Sequence, residues 1–140
     1  EDTSVALINQ FREAGLNVIA DGRPSSEFWG NWINYPFSTT NWNGRPLGVQ
    51  ILNLAYRSGV DWNEAHYNNP DFDALLDQAN GLADPDARRE VMVKLQKMMQ
   101  DDGVIIQPYW RGIFSHATDR VMGYQMHQAF EHHYETVSLA

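Results

Sequence analysis

An α/β fold is what this sequence predicts, on three observations. Stretches with helical apolar spacing alternate with short runs whose apolar residues fall on every second position. Gly and Pro stand between these stretches, where turns are needed. No internal repeat or low-complexity linker interrupts the order, so the alternation reads as one α/β region.

The elements follow in chain order. Val5, Leu7, Ile8, Phe11 and Ala14 form one helical face, and Gly15 suits the left-handed position that closes a helix. "LNVIA" puts Leu16, Val18 and Ala20 on one side, as a strand does. "DGRPSS" is a turn, and "SEFWGNWI" is a short helix with Phe28, Trp29 and Trp32 as its inner side. "PFSTTNW" reads as a strand. "PLGVQILNLAYRSG" offers Pro46 at a helix start and Gly59 at its end.

The stretch "WNEAHYNNPDFDALL" holds three carboxylates, a histidine and a tyrosine, and asks whether it does chemistry. A local account exists. Asn69 can cap a helix through its side-chain oxygen, and Pro70 fits the first position, where its missing N–H has no partner to lose. Asp71 and Asp73 then lie in the first turn, beside exposed backbone N–H groups that favour negative charge. Phe72, Leu75, Leu76 and Ala79 form the inward stripe. Asp84, Pro85 and Asp86 repeat the device before Val91, Met92, Leu95, Met98 and Met99, and Gly103 ends that helix. A D-x-D pair without the rest of the Ca²⁺-loop spacing does not make a metal site.

Composition narrows the function classes. The 140 residues suffice for one domain with a core, and 43% apolar content places the chain among globular proteins rather than disordered ones. Asp and Glu number 18 against 10 Lys and Arg, a net charge of −8. That balance argues against nucleic acid, which is held by neutralising phosphates, and against an anionic membrane surface. With no Cys, neither disulfides nor thiolate chemistry is available. No apolar run approaches the ~18 residues of a membrane span. The opening "EDTSVALINQF" has neither an initiator Met nor a signal peptide, which reads as a processed or excised piece.

Order and spacing of several motifs carry a resemblance. Asn63, His66 and Tyr67, then Asn69, Pro70, Phe72 and Asp73, precede a helix led by Asp84 with Arg88 or Arg89. A long amphipathic helix follows, then a strand with Pro108, Tyr109 and Trp110, and "DRVMGY" from Asp119 to Tyr124. With "NWNGRP" before them, these resemble the C-terminal part of the peptide/nickel-type extracytoplasmic solute-binding proteins of ABC importers, the dipeptide- and oligopeptide-binding group. The resemblance spans essentially the whole chain.

It implies the C-terminal portion of a two-lobed, hinged periplasmic-binding-protein fold. Residues 1–104 would be a second-lobe α/β segment. Residues 105–140 would be the hinge-crossing strand and a C-terminal segment returning to the first lobe. It also implies a periplasmic, or lipid-anchored extracytoplasmic, protein that captures a peptide or other small solute between the lobes. That protein would pass its cargo to the membrane subunits of the transporter, with no enzymatic step, no cofactor, no nucleic acid and no insertion in the membrane. Ligand contacts made in the closed state would shift the hinge equilibrium.

Two rival classes stand beside this reading: a metal- or His-dependent hydrolase, and a sensor or chaperone-like protein that docks a membrane receptor. His127, His132 and His133 raise the metal question, but a strand would turn His132 and His133 to opposite faces, and neither CxxC nor HExxH occurs. Ser115 and His116 do not have triad spacing, and no G-x-S-x-G elbow is present. Trp29, Trp32, Trp62 and Trp110 read as core aromatics. Trp42 has two readings, core packing and ligand platform. It stands where a strand would end and the chain turn through Asn43-Gly44-Arg45-Pro46, and α/β lobes collect ligands outside such strand ends.

The resemblance turns the matching tryptophan toward the cleft, which makes Trp42, Asn43 and Arg45 the candidate ligand-binding residues. In the peptide-binding members an aspartate lies three residues after that tryptophan and pairs with the peptide's amino terminus. Arg45 occupies that place here and inverts the charge. The expected ligand is therefore an anionic or neutral polar solute, such as a modified peptide, an opine or a sugar derivative. Its carboxylate or phosphate could accept two parallel N–H bonds from the guanidinium.

Overall fold

The computed structural model describes residues 2–140. Among the described residues five α-helices form: α1 (Asp2–Glu13), α2 (Ser25–Asn31), α3 (Gly48–Ala55), α4 (Pro70–Gly81) and α5 (Pro85–Asp101). The described strands are β1 (Val121–Met122) and β2 (Ser138–Leu139), antiparallel with Val121 opposite Leu139 and Met122 opposite Ser138. The chain divides into two compact units, Glu1–Asn41 and Trp42–Ala140.

In the first unit, α1 closes as its sequence dictates. Gly15 takes φ +85°, Leu16 N–H returns to Phe11 carbonyl, and Arg12 Nε reaches Val18 carbonyl at 3.0 Å. The aromatic residues of α2 and its 3₁₀ extension gather in ring contacts. Phe28 stacks on Tyr35 at 5.7 Å, and Trp29 meets Trp32 edge-on at 5.8 Å. Burial differs from expectation, because α2 contributes no buried residue and Trp29 is half exposed.

The core lies in the second unit, between α3, α4 and α5. Its buried apolar side chains are Val49, Leu52, Ala55 and Tyr56, then Phe72, Leu76 and Ala79, then Val91, Leu95 and Met99. On α4 and α5 the spacing of three and four is that of a single inward stripe. Both helix starts form locally. Asn69 Oδ1 accepts from the backbone N–H of Asp71 at 3.0 Å and Phe72 at 3.2 Å. Asp84 accepts from Asp86 and Ala87, and Pro70 and Pro85 open their helices. Helix α3 begins at Gly48 rather than Pro46, where the Gln50 side chain accepts the Leu47 N–H at 3.1 Å. Gly103, at φ +63°, ends α5 and returns the Val104 N–H to Met99 carbonyl.

Three expected strands do not form among the described residues. Leu16–Ala20, Pro36–Trp42 and Val104–Trp110 run extended or irregular and join no described sheet. The physical reason is that a strand is completed by its neighbour's N–H and C=O groups, and residue alternation cannot supply that neighbour. The pairing that does occur depends on Gly123. A Cβ there would stand 2.0 Å from the Thr136 carbonyl oxygen, and the backbone holds φ +76°.

Candidate functional site

Trp42 opens the second unit, half buried against the helical core. Its indole N–H donates to Glu64 Oε1 at 3.0 Å, and its ring lies 6.1 Å from that of Trp62, tilted by 52°. Trp42 thus does part of the packing work that its core reading required, while its polar edge is held by a carboxylate. Asn43, Gly44 and Arg45 follow on the surface. The loop is braced from behind, because a Cβ on Gly44 would come within 2.8 Å of the Gln128 carbonyl oxygen. Only glycine allows that approach without a shift.

Arg45 is exposed, and its Nη1 stands 3.4 Å from the carbonyl oxygens of Asn43 and Gly44. Among the described residues it forms no ion pair with an acid. The sequence points to Trp42, Asn43 and Arg45 as one site. The structure puts them on one loop, with the tryptophan anchored and the guanidinium left facing solvent.

The acid-rich stretch has a different character. Asn63, buried, donates through Nδ2 to the carbonyls of Arg57 (3.1 Å) and Tyr67 (2.8 Å) and accepts the Tyr67 N–H at 3.1 Å. Tyr67 hydroxyl donates to Asp102 Oδ2 at 2.6 Å, and Asn69 Nδ2 reaches both groups, at 3.0 and 3.2 Å. The Tyr67 ring meets Phe72 edge-on at 5.2 Å. Asp73 accepts the Ser58 N–H at 3.1 Å. These bonds tie the α3–α4 loop, the start of α4 and the end of α5 together. The carboxylates hold structure.

Alongside them, Asn53 and Asn80 exchange amide bonds at 2.9 and 3.1 Å, and Arg57 pairs with Asp77. Of the two residues the resemblance offered, Arg88 closes the α4–α5 loop through the carbonyls of Leu82 and Ala83. Arg89 pairs on the surface with Asp86. His66 occupies φ +50°, its N–H bonded to the Asn63 carbonyl at 3.0 Å.

Titration shifts here move away from neutrality. Burial, then the bond to Asp102, pushes the Tyr67 hydroxyl up to about 12, against a smaller opposing effect of Asn69. Burial, then the nearby Glu64, pushes Tyr56 up to about 12. A general acid or base at neutral pH needs the opposite tuning.

Two shallow grooves lie in the same unit as this polar latch of Asn63, Tyr67, Asn69 and Asp102. One of about 450 Å³ is lined by Asn53, Leu54, Val60, Asp61 and Trp62. The other, about 240 Å³, is lined by Gly59, Val60, Asp61, Asn63, His66, Tyr67 and Asn68. Sequence reasoning did not single out Asp61, which lines both. Its acidity was visible, but its place between grooves comes from the turn around Gly59 at φ +75°.

The histidines are separated in role. His132 stacks on Tyr134 at 5.2 Å, whereas His133 Nδ1 lies 3.1 Å from Glu135 Oε1. Glu131 stands 3.9 Å from His127 and 3.8 Å from His133. The Glu135 carboxyl is held below its usual range, first by its own backbone N–H and then by His133. Among the described residues, no group of three His, Asp or Glu side chains is placed to hold a metal ion. Ser115 and His116 are both exposed, and no described hydrogen bond joins them. No described helix is long and apolar enough to cross a membrane.

No protein family, curated protein or solved structure matches the chain.

Proposed function

We propose that this chain is the C-terminal part of a two-lobed solute-binding protein of an ABC importer. It would contribute one α/β lobe and a return segment to a protein that captures a small polar solute outside the cytoplasm. The observation that carries the reading is the loop Trp42–Arg45: an aromatic anchored by Glu64 and Trp62, followed by an exposed guanidinium with no described acid partner. Binding residues are commonly presented on loops that a rigid scaffold positions, and the α3–α5 core with its polar latch is such a scaffold. The order of the motifs in residues 42–124 supports the same reading.

In this reading Leu16–Ala20, Pro36–Trp42 and Val104–Trp110 belong to sheets completed by other parts of the polypeptide, and residues 105–140 return to the first lobe. Capture involves no bond making. The protein delivers its ligand to the membrane subunits of the transporter, and its location is periplasmic or lipid-anchored. Arg45 in the place of the usual acid disfavours a free amine. An ammonium beside a guanidinium at an effective dielectric of ~20 meets repulsion of a few kcal/mol. The gene tests the class. A first lobe and a secretion signal encoded upstream of Glu1 are the result expected. A start codon directly before Glu1, with no lobe, overturns the proposal.

A further inference from the structure

Most acids between Asp61 and Asp102 are engaged. They accept a described hydrogen bond, as Glu64 does from Trp42, or pair with a base, as Asp77 does with Arg57. Asp61, Asp71 and Glu90 have no described side-chain partner. Of these, Asp61 alone lines a described groove, and it lines both.

The backbone presents Asp61 together with an aromatic ring. Asn63 N–H bonds to the Val60 carbonyl at 3.2 Å, which closes a four-residue turn with Asp61 and Trp62 at its two central positions. Asn63 is buried, and its amide bonds to the carbonyls of Arg57 and Tyr67 pin the end of that turn. Asp61 is exposed, and Trp62 is 48% exposed. The Trp62 ring meets Trp42, and its indole N–H has no described acceptor. Arg57 reaches Asn53 in the neighbouring groove wall, but Asp77 already counters its charge.

We infer that the Val60–Asn63 turn binds a guanidinium group, carried as an arginine side chain on an extended peptide segment. The planar fork can give a carboxylate two parallel N–H bonds while its face lies on an indole. An ammonium is a compact, strongly hydrated point charge and lacks that flat face. Both grooves share Val60 and Asp61; one continues to Asn53 and Leu54, the other to His66 and Asn68. Chain on either side of the arginine would follow them, and their shallowness suits an extended segment better than an enclosed solute. The net charge of −8 draws such a cation from a distance. This site uses none of the residues Trp42, Asn43 and Arg45 and takes the opposite charge, so it goes beyond the capture reading.

The probe is the capped tripeptide acetyl-Ala-Arg-Ala-amide, whose guanidinium is its sole charge. It is titrated into the chain at about 20 mM ionic strength, where exposed pairs are little screened. The readout is the ¹⁵N–¹H signal of the Trp62 indole, identified by its loss in Trp62→Phe. A saturable shift with a Kd of roughly millimolar is expected. Citrulline in place of the arginine, nearly the same shape without the charge, should weaken binding about tenfold or more. Asp61→Asn should do the same, with helical circular dichroism unchanged because Asp61 holds no described side-chain bond. Glu90→Gln makes the same charge change at an exposed residue outside both grooves and should alter the affinity less than about twofold. A lysine tripeptide and methylguanidinium alone should each bind roughly threefold or more weakly than the arginine tripeptide. No saturable shift overturns the inference, as does equal weakening by Asp61→Asn and Glu90→Gln. Citrulline or lysine peptides that bind as tightly overturn the guanidinium assignment. Methylguanidinium that binds as tightly as the tripeptide overturns the peptide segment.

Discussion

Asn69 shows how much one side chain can carry. Its oxygen caps α4 while its amide nitrogen joins Tyr67 to Asp102. Loss of a capping Asn costs about 0.5–2 kcal/mol, and the broken bridge adds to it. Asn69→Ala should therefore lower the urea midpoint by more than Asn68→Ala, which removes no described side-chain bond.

Tyr67 and Tyr56 add a pH dependence. Both hydroxyls are pushed up from the ordinary phenol value near 10.0 to about 12 in the folded state. The stability they contribute is fully present below pH ~10 and is lost as pH rises through about 12. Denaturation midpoints at pH 9 and pH 11 should differ accordingly, and Tyr67→Phe should shrink the difference. A midpoint unchanged over that interval would contradict the burial that raises both hydroxyls. The cap was legible in the sequence because Asn69 and Pro70 act on their own turn. The partner Asp102 lies 33 residues on, and Glu64 lies 22 residues from Trp42; chain order alone names neither.

Helices α4 and α5 were legible for the same local reason: caps, opening prolines and an apolar stripe all sit within one stretch. Their energetics should follow the stripe. Leu95 is fully buried, whereas Val93 on the same helix is 59% exposed. Leu95→Ala should cost about 2–5 kcal/mol, while Val93→Ala should stay within about 0.5 kcal/mol. Chemical denaturation of both variants checks this, and comparable losses would contradict the placement of the core.

The strands were less legible. "LNVIA" and "VIIQPYW" have the alternation of strands, but a sheet is a relation between distant segments, and among the described residues only Val121–Met122 and Ser138–Leu139 find each other. Gly123→Ala should disrupt that pair, since the added Cβ would meet the Thr136 carbonyl and alanine disfavours positive φ. Loss of amide exchange protection at Leu139 and Ala140 would report it.

For the molecule as a whole, binding energy rather than chemistry is the proposed currency of function. The histidines near the C-terminus contact aromatic and acidic neighbours. Replacing His132 and His133 by alanine should leave thermal stability the same with and without a chelator. A large chelator-dependent loss in the unmodified chain would contradict that, because a structural metal's binding energy is folding energy.

The candidate site itself was half legible. The loop Trp42–Arg45 could be named from its residues, but its bracing by Glu64, Trp62 and Gln128 depends on packing that brings separate segments together. Calorimetry on the polypeptide as its gene encodes it tests the capture account most directly. N-acetyl-dialanine and free dialanine are titrated into the unmodified protein and into Arg45→Ala. The account predicts that the acetylated peptide binds more tightly than the free-amine peptide by roughly tenfold or more, and that Arg45→Ala removes the difference. Tighter binding of free dialanine, or an affinity unchanged by Arg45→Ala, would contradict it.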